Sequence, residues 1–518
     1  MRIIIALVLT ACHVRGEYQC TSHDECRRGD ELGFCERSGY CTFSDTSCPS
    51  QRRYAESAPA DIADRCLEGI VTGTFHNAVV TNDATFAPVI TDQPPRTISL
   101  SASLEDGTSV AVDYRGDGAF SFPATGWYEV VVIADGFGWT YQHTAPHLEL
   151  DQVYIGRVDR GHPPMAQTDI QFMYAGPGEG TADVASTGLW TETGVGGSTR
   201  NLSFDWRKAV SQFGPLGLLD AAQNDRLYYV EITAGPTYSS ITSYAASSVT
   251  LREGMVTMVT GDFMANVAPD RCVHVTNAAA DDLAALKTAF PSISNPTGGW
   301  LIESVPARAR TIDGQHSLAY KYASPPVNSD VMASFPNPYP GTELLALTDV
   351  LAEGSAGLPN AVSNAVLPFA LLAYSETNPS DASCNERAML SASVGLYGKL
   401  QVQGTDVTKD NQALSLDASP RIELKWARVG DGPAHFFAVL LYELSDDGAG
   451  ATVKTGIAVV VTTDRRALFQ RYLFQNGHTY ILEIQAHVSR PDAAAGDFVK
   501  LQYPVGVAQT WTHSFTVN

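Results

Sequence analysis

Beyond the first dozen residues, apolar positions fall in short alternating runs broken by Gly, Pro and Asp-Gly, the pattern of strands and tight turns. Between 69 and 160 the clearest runs are 71–75, 98–104, 109–114, 119–122 and 128–134, with Arg115-Gly116-Asp117-Gly118 as a hairpin turn. Between 161 and 268 the same style predicts strands at 169–174, 201–206, 227–233, 247–251 and 256–261, with loops at 176–180 and 194–197. Segment 269–410 offers one helix, 278–290, with Leu283, Leu286 and Phe290 on one face, Asn277 as its cap and Pro291 as its stop. Strands are expected there at 343–350, 366–374 and 388–394, and the prolines at 325–326 and 336–340 force extended chain. From 411 on, 421–426 turns Ile422, Leu424 and Trp426 inward, 435–444 and 457–462 are longer strands, and Tyr480, Leu482, Ile484 and Ala486 alternate. The expected fold class is mainly β: a multidomain string of antiparallel β-sandwiches at 69–160, 161–268, 269–410 (with the helix) and 411–518, after a small disulfide-rich module at 12–68.

At 518 residues the chain is several domain lengths long. Apolar residues make up 44%, enough for real cores, and charged residues only 17%. The net charge of −22 argues against nucleic acid and against an electrostatic hold on anionic lipid. The best apolar stretch, 362–374, is interrupted by Asn364 and Pro368 and is too short to span a bilayer as a helix. The beginning of the chain supplies another attachment. Arg2, an apolar run at 3–9 and small residues make a secretory signal. Its ending, Leu9-Thr10-Ala11-Cys12, resembles the lipobox of bacterial lipoproteins. The resemblance implies that 1–11 is removed and that Cys12 becomes an acylated first residue, the lipid anchor to a membrane. His13, where that family's inner-membrane proteins carry Asp, points to the outer membrane or cell surface.

Nine cysteines are an odd number, and lipid on Cys12 leaves eight. Cys20, Cys26, Cys35, Cys41, Cys48 and Cys66 crowd a segment too small for a core of its own, so three disulfides are expected, with fifteen pairings open. Cys272 and Cys384 are expected to close a long loop as a fourth. Zinc would need pairs at Cys-x₂₋₄-Cys spacing, which these lack. Cys41-Thr-Phe-Ser-Asp-Thr-Ser-Cys48 followed by Arg53-Tyr54 and a last cysteine resembles the leader of large Gram-negative surface lipoproteins.

Two further resemblances concern fold. Val71-x-Gly73, Gly116-Asp117-Gly118-x-Phe120 and Gly126-Trp127-Tyr128 look like transthyretin-like domains of the immunoglobulin-like class. Trp426 on an early strand, with Leu473, a turn and Tyr480 opening a late one, resembles fibronectin type III. That implies a spacer or binding module.

Catalytic motifs are missing from the sequence: there is no Gly-x-Ser-x-Gly elbow, His-Glu-x-x-His or phosphate-binding glycine loop. His143 and His147 have helical zinc spacing, but Pro146 lies between them, so both are expected in loops. Asp113, Asp117 and Asp446-Asp447-Gly448 offer oxygen ligands for calcium without a calcium-loop spacing. Asp281-Asp282 fits a helix start. Arg28-Gly29-Asp30 and Arg115-Gly116-Asp117 spell an adhesion tripeptide that turn chemistry also selects. Of seven tryptophans, Trp139, beside Gly136 and Gly138, is the first candidate for a sugar platform. The expectation is a non-enzymatic surface lipoprotein with no cofactor, binding an unidentified protein or glycan. The alternatives are a lipid-anchored hydrolase of polysaccharide or peptide with its site in 161–410, and a structural envelope component.

Overall fold

The computed structural model describes residues 18–36, 38–94, 97–134, 137–155, 163–175, 181–186, 191–194, 201–208, 210–211, 214–215, 217–234, 239–262, 264–265, 271–277, 284, 286–288, 294–306, 310–311, 314–315, 318–320, 330–335, 337, 339, 342–358, 360–377, 387–390, 394–407, 412–429, 432–502 and 505–518. Cys12 and the stretch 1–11, expected as lipid anchor and signal, lie outside them, as does Cys384. The fold class is the expected one: antiparallel sheets dominate, behind a disulfide module. No helix among the described residues is long and apolar enough to cross a membrane.

The six clustered cysteines pair Cys20–Cys35, Cys26–Cys41 and Cys48–Cys66. The sulfurs of Cys20, Cys26 and Cys41 lie within 4.8 Å of one another because two bridges stack, and a disulfide sulfur is no thiolate for zinc. Buried Cys272 is also disulfide-bonded.

The first sandwich sets Ile70–Asn82, flanked by Ala119–Pro123 and His147–Ile155, against Ile98–Leu104, Tyr128–Ala134 and Phe137–His143. Val71 and Phe75 from one sheet meet Val130 and Val132 from the other. The positions behind the transthyretin-like resemblance pack together. Gly73 is there because a Cβ would come within 2.2 Å of the Phe120 ring. The second sandwich, around Phe172, Trp206, Leu227 and Tyr229, packs Asp169–Ala175 and its neighbours on Thr181–Ser186, Arg226–Ala234 and Ser239–Ser248. The strand expected at 247–251 is displaced to Ser239–Ser248, leaving Val249 and Leu251 as buried coil.

In the expected helix, Ala284, Leu286, Lys287 and Thr288 are described and helical; Leu283 and Phe290 lie outside the described residues. Leu286 is fully buried. Asn277, the expected cap, ends the strand Arg271–Asn277. The strands expected at 343–350 and 366–374 extend to Thr342–Ala356 and Ala365–Thr377, one long hairpin.

The last sandwich sets Tyr397–Val402, Arg421–Arg428 and Arg466–Gln470 against Thr452–Thr462, Phe436–Asp446, Thr479–Val488 and Val505–Trp511. The short strand Thr405–Asp406 adds to the first sheet, and Trp426, buried edge-on to Phe437, lies between the two sheets as in an immunoglobulin-like sandwich. The Tyr480 hydroxyl accepts the Gln475 amide at 2.8 Å, a tyrosine corner. The first strand starts at Tyr397, upstream of the expected boundary at 411. After Val402 the chain turns back and pairs Thr405–Asp406 onto the same strand, so the expected boundary falls inside the sandwich.

This sandwich is also the hub of the molecule. Its four-strand sheet continues through Val505–Trp511 into the hairpin 342–377, and through Thr452–Thr462 into the first sandwich. The result is one 14-stranded sheet. Residues 140–142 pair in parallel with 460–462, and Phe436, Val461 and Phe498 enter the first sandwich's core.

Candidate functional site

Period-two alternation puts Thr72, Thr74 and His76 on the opposite side of their strand from core residues Val71 and Phe75, and does the same for His147, Glu149 and Asp151 against Leu148 and Leu150. The strands run parallel with His147 opposite Thr72, Glu149 opposite Thr74 and Asp151 opposite His76. A polar ladder results, facing the disulfide module.

The module is fastened to this sandwich by specific bonds. Arg115 donates to the Gly33 carbonyl at 2.6 Å and is held by Asp117 at 2.8 Å. Thr72 Oγ1 donates to the Ser50 carbonyl at 2.5 Å. Within the module, the Arg52 guanidinium stacks 4.1 Å over the Phe34 ring and pairs with buried Glu36 at 3.4 Å. Burial pushes the Glu36 carboxyl up, against the pull of Arg52 and Thr42. Between module and sandwich lies a polar cleft of about 220 Å³, lined among others by Asp45, Arg52, Arg115, Asp117, His147 and Glu149.

Two of its lining residues belong to one hydrogen-bonded cluster: His147 Nδ1 is 2.7 Å from Thr72 Oγ1 and its Nε2 2.6 Å from Glu149 Oε1. His76 Nε2 is 2.6 Å from the other oxygen, Oε2. Burial acts to raise the Glu149 pKa, but the bonds from His147 and His76 outweigh it and hold the carboxyl at about 2. The bond to Glu149 raises the His76 pKa against the opposing effect of burial. Thr72, His147 and Glu149 follow one another as hydroxyl, imidazole and carboxylate, the sequence of a nucleophile relay. Thr72 is nevertheless fully buried and its proton goes to Ser50, so the hydroxyl is not presented to a substrate.

The sequence missed this cluster because neither strand 147–155 nor the far half of 70–82 is among the clear alternating runs. The signal was there: His-x-Glu and Thr-x-Thr-x-His are period-two polar patterns. His143 and His147, expected in loops, end and begin strands. His143 accepts the Ala145 amide on Nδ1 and meets the Ala493 carbonyl with Nε2 at 2.9 Å, away from the cleft.

Other candidates resolve into packing and turns. Asp446 and Asp447 accept amides of their own turn, Gly448 and Gly450 for one, Ala449 and Ala451 for the other. Arg28 pairs with Glu31 and stacks on Phe43, so neither Arg-Gly-Asp presents a free arginine. Trp127, Trp206, Trp426 and Trp511 are buried. Trp139 is a half-buried strand residue opposite Val132, not part of a turn. Trp190, Asp281 and Asp282 lie outside the described residues.

No family model matches the chain, and no curated protein matches it. Among solved structures, the crystal structure of chicken CNTN1 FN1-FN3 domains is 10% identical and covers 86% of this chain and 98% of its own, with a TM-score of 0.12. Domains from titin are 8% identical over the same shares, with a TM-score of 0.15. A streptococcal ancillary pilin is 10% identical over 58% of this chain and 95% of its own, with a TM-score of 0.12. TM-scores this low give none of these likenesses any weight.

Proposed function

We propose that the chain is a non-enzymatic surface lipoprotein, acylated at Cys12 and carried on the outer membrane or cell surface, whose β-sandwiches present a binding surface to a protein or glycan. The carrying observation is the fastening of the disulfide module to the first sandwich through Arg115 and Thr72. Five residues separate Cys12 from Tyr18, and the six steps between them reach at most about 22 Å. A lipid at Cys12 therefore holds the whole body close to a membrane, and the polar cleft in the seam is a place for a ligand. Mass spectrometry of protein extracted from membranes tests the tether. The expected species lacks 1–11 and carries acyl chains on Cys12; retained Met1 without lipid contradicts it. A screen of the anchorless protein against glycans and peptides tests the role, with saturable binding expected and turnover contradicting it.

A further inference from the structure

The second sandwich has an open edge. Among the described residues, Val256–Asp262 pairs only with Asp169–Ala175, in parallel, so its far side is the end of the sheet. The Met255 carbonyl accepts the Asp169 amide at 3.2 Å, which turns the backbone groups of 255, 257 and 259 toward that neighbour. By period-two alternation the amides and carbonyls of Val256, Met258 and Thr260 point the other way, along the open edge. The side chains alternate too. Val259 packs in the core, while Val256 and Met258 are 57% and 58% exposed on the outer face. Met173, opposite Thr260 in the register, adds apolar surface to that face. Sheet edges are usually blunted by charge, proline or a bulge, because a bare edge templates pairing with another chain. Two other edge strands follow that habit: Pro88–Asp92 opens on proline and closes on aspartate, and Thr191–Gly194 carries Glu192. From 256 to 261 the chain reads Val-Thr-Met-Val-Thr-Gly, with neither charge nor proline.

We propose that this edge is the contact between two copies of the chain, paired antiparallel about a two-fold axis at Met258. In that register Met258 lies opposite its own copy, and Val256 opposite the second copy's Thr260. It is the register that engages all three outward residues of both copies, each pair exchanging N–H···O bonds in both directions. The two three-stranded sheets then become one. On the outer face the Met258 side chains meet across the axis, with Val256 of each copy beside them. The flanking charges agree with this choice of partner. Antiparallel pairing sets Arg252, exposed just before one strand, toward the end of the other at Asp262. A net charge of −22 opposes association through most of the surface, which leaves an uncharged strip as the place for two copies to meet. A second copy matches the edge in outward positions and in charge by symmetry alone.

The test is sedimentation equilibrium of the full chain carrying Cys12→Ser, so that no acyl chain drives association. Twice the monomer mass is expected at high concentration, with dissociation on dilution. Met258→Lys, at an exposed position that leaves the fold intact, sets two like charges opposite each other and should weaken the dimer about tenfold or more. Met332→Lys, at a 64% exposed methionine on a different sheet, should leave it unchanged. Hydrogen exchange reads the register. The amides of 256, 258 and 260 should slow as concentration rises, while those of 257 and 259, which face Asp169–Ala175, stay protected throughout. A chain that is monomeric at every concentration, whatever other protein it takes on this edge, overturns the contact. So does a dimer that survives Met258→Lys or is lost in Met332→Lys, and so do outward amides indifferent to concentration.

Discussion

Glu129 and Arg421 are far apart in the chain and meet at 2.8 Å with both side chains only 4% exposed. Gln470 and Gln142 donate to the same carboxylate, Ser103 accepts from Arg421, and the guanidinium lies 5.4 Å from the Trp127 ring centroid. Nothing local announces this. In the run 128–134 Glu129 has the parity of a solvent-facing residue, and only the docking of the last sandwich buries it. Removing one partner strands a charge, so Glu129→Ala or Arg421→Ala should each destabilise by about 3–5 kcal/mol, read by urea unfolding. Because they share one pair, the double substitution should cost clearly less than the sum. Two histidines at the same junction give a pH dependence. Burial, then Arg490, hold His487 down at about 3, with its ring stacked 4.5 Å from Phe436, and burial lowers His143, whose Nδ1 is already occupied by the Ala145 amide. The native state stays neutral where the unfolded chain takes up a proton, so stability is lost as pH falls below the unfolded value of about 6.5. For His487 alone the loss between pH 6.5 and 5 is about 2 kcal/mol. His487→Gln should flatten that slope in urea midpoints measured at both pH values; an unchanged slope would contradict the assignment.

At the scale of elements, strands with one face buried and one wet were readable: 98–104 and 128–134 appear with the expected bounds. Phe137–His143, His147–Ile155 and Val505–Trp511 were missed, the first and last because each is paired on one flank within its own sandwich and on the other with a neighbouring unit, and their sequence does not alternate cleanly. The cysteine crowding was legible as a module, but its pairing was not, since fifteen connectivities satisfy the same spacings. The Arg53 of the leader-like motif has a physical role: it donates to Asp45 in the Cys41–Cys48 loop, to the Asp64 carbonyl beside Cys66, and to Ser47. Replacing Cys48 and Cys66 by Ser releases a loop with a sequence separation of 18 and should cost about 3 kcal/mol, read as earlier proteolysis of the module. Gly73→Ala should cost about 1–3 kcal/mol, because its Cβ would meet the Phe120 ring and, at 2.7 Å, the Leu148 carbonyl.

For the whole molecule, the decisive feature is that the last hundred-odd residues lie at the centre rather than at an end. Their sheet is buried on both faces. Leu482 and Ile484 face the Trp426 core, while Ile481 joins Leu367, Leu444 and Trp511 on the other side. Long-range strand pairing of this kind leaves no local trace. Each edge strand reads the same whether it ends a sandwich or continues into another, so the units were legible and their joints were not. The joint between first and last sandwiches combines the 140–142/460–462 pairing, the reciprocal bonds between Gln142 and the Leu468 backbone, and the Glu129–Arg421 lock. Native-state hydrogen exchange of the full chain tests this most directly. The amides of 140–142 and 460–462 should open with one shared free energy, lowered equally at both places by Arg421→Ala; separate opening energies, or a change confined to one strand, would contradict a single body.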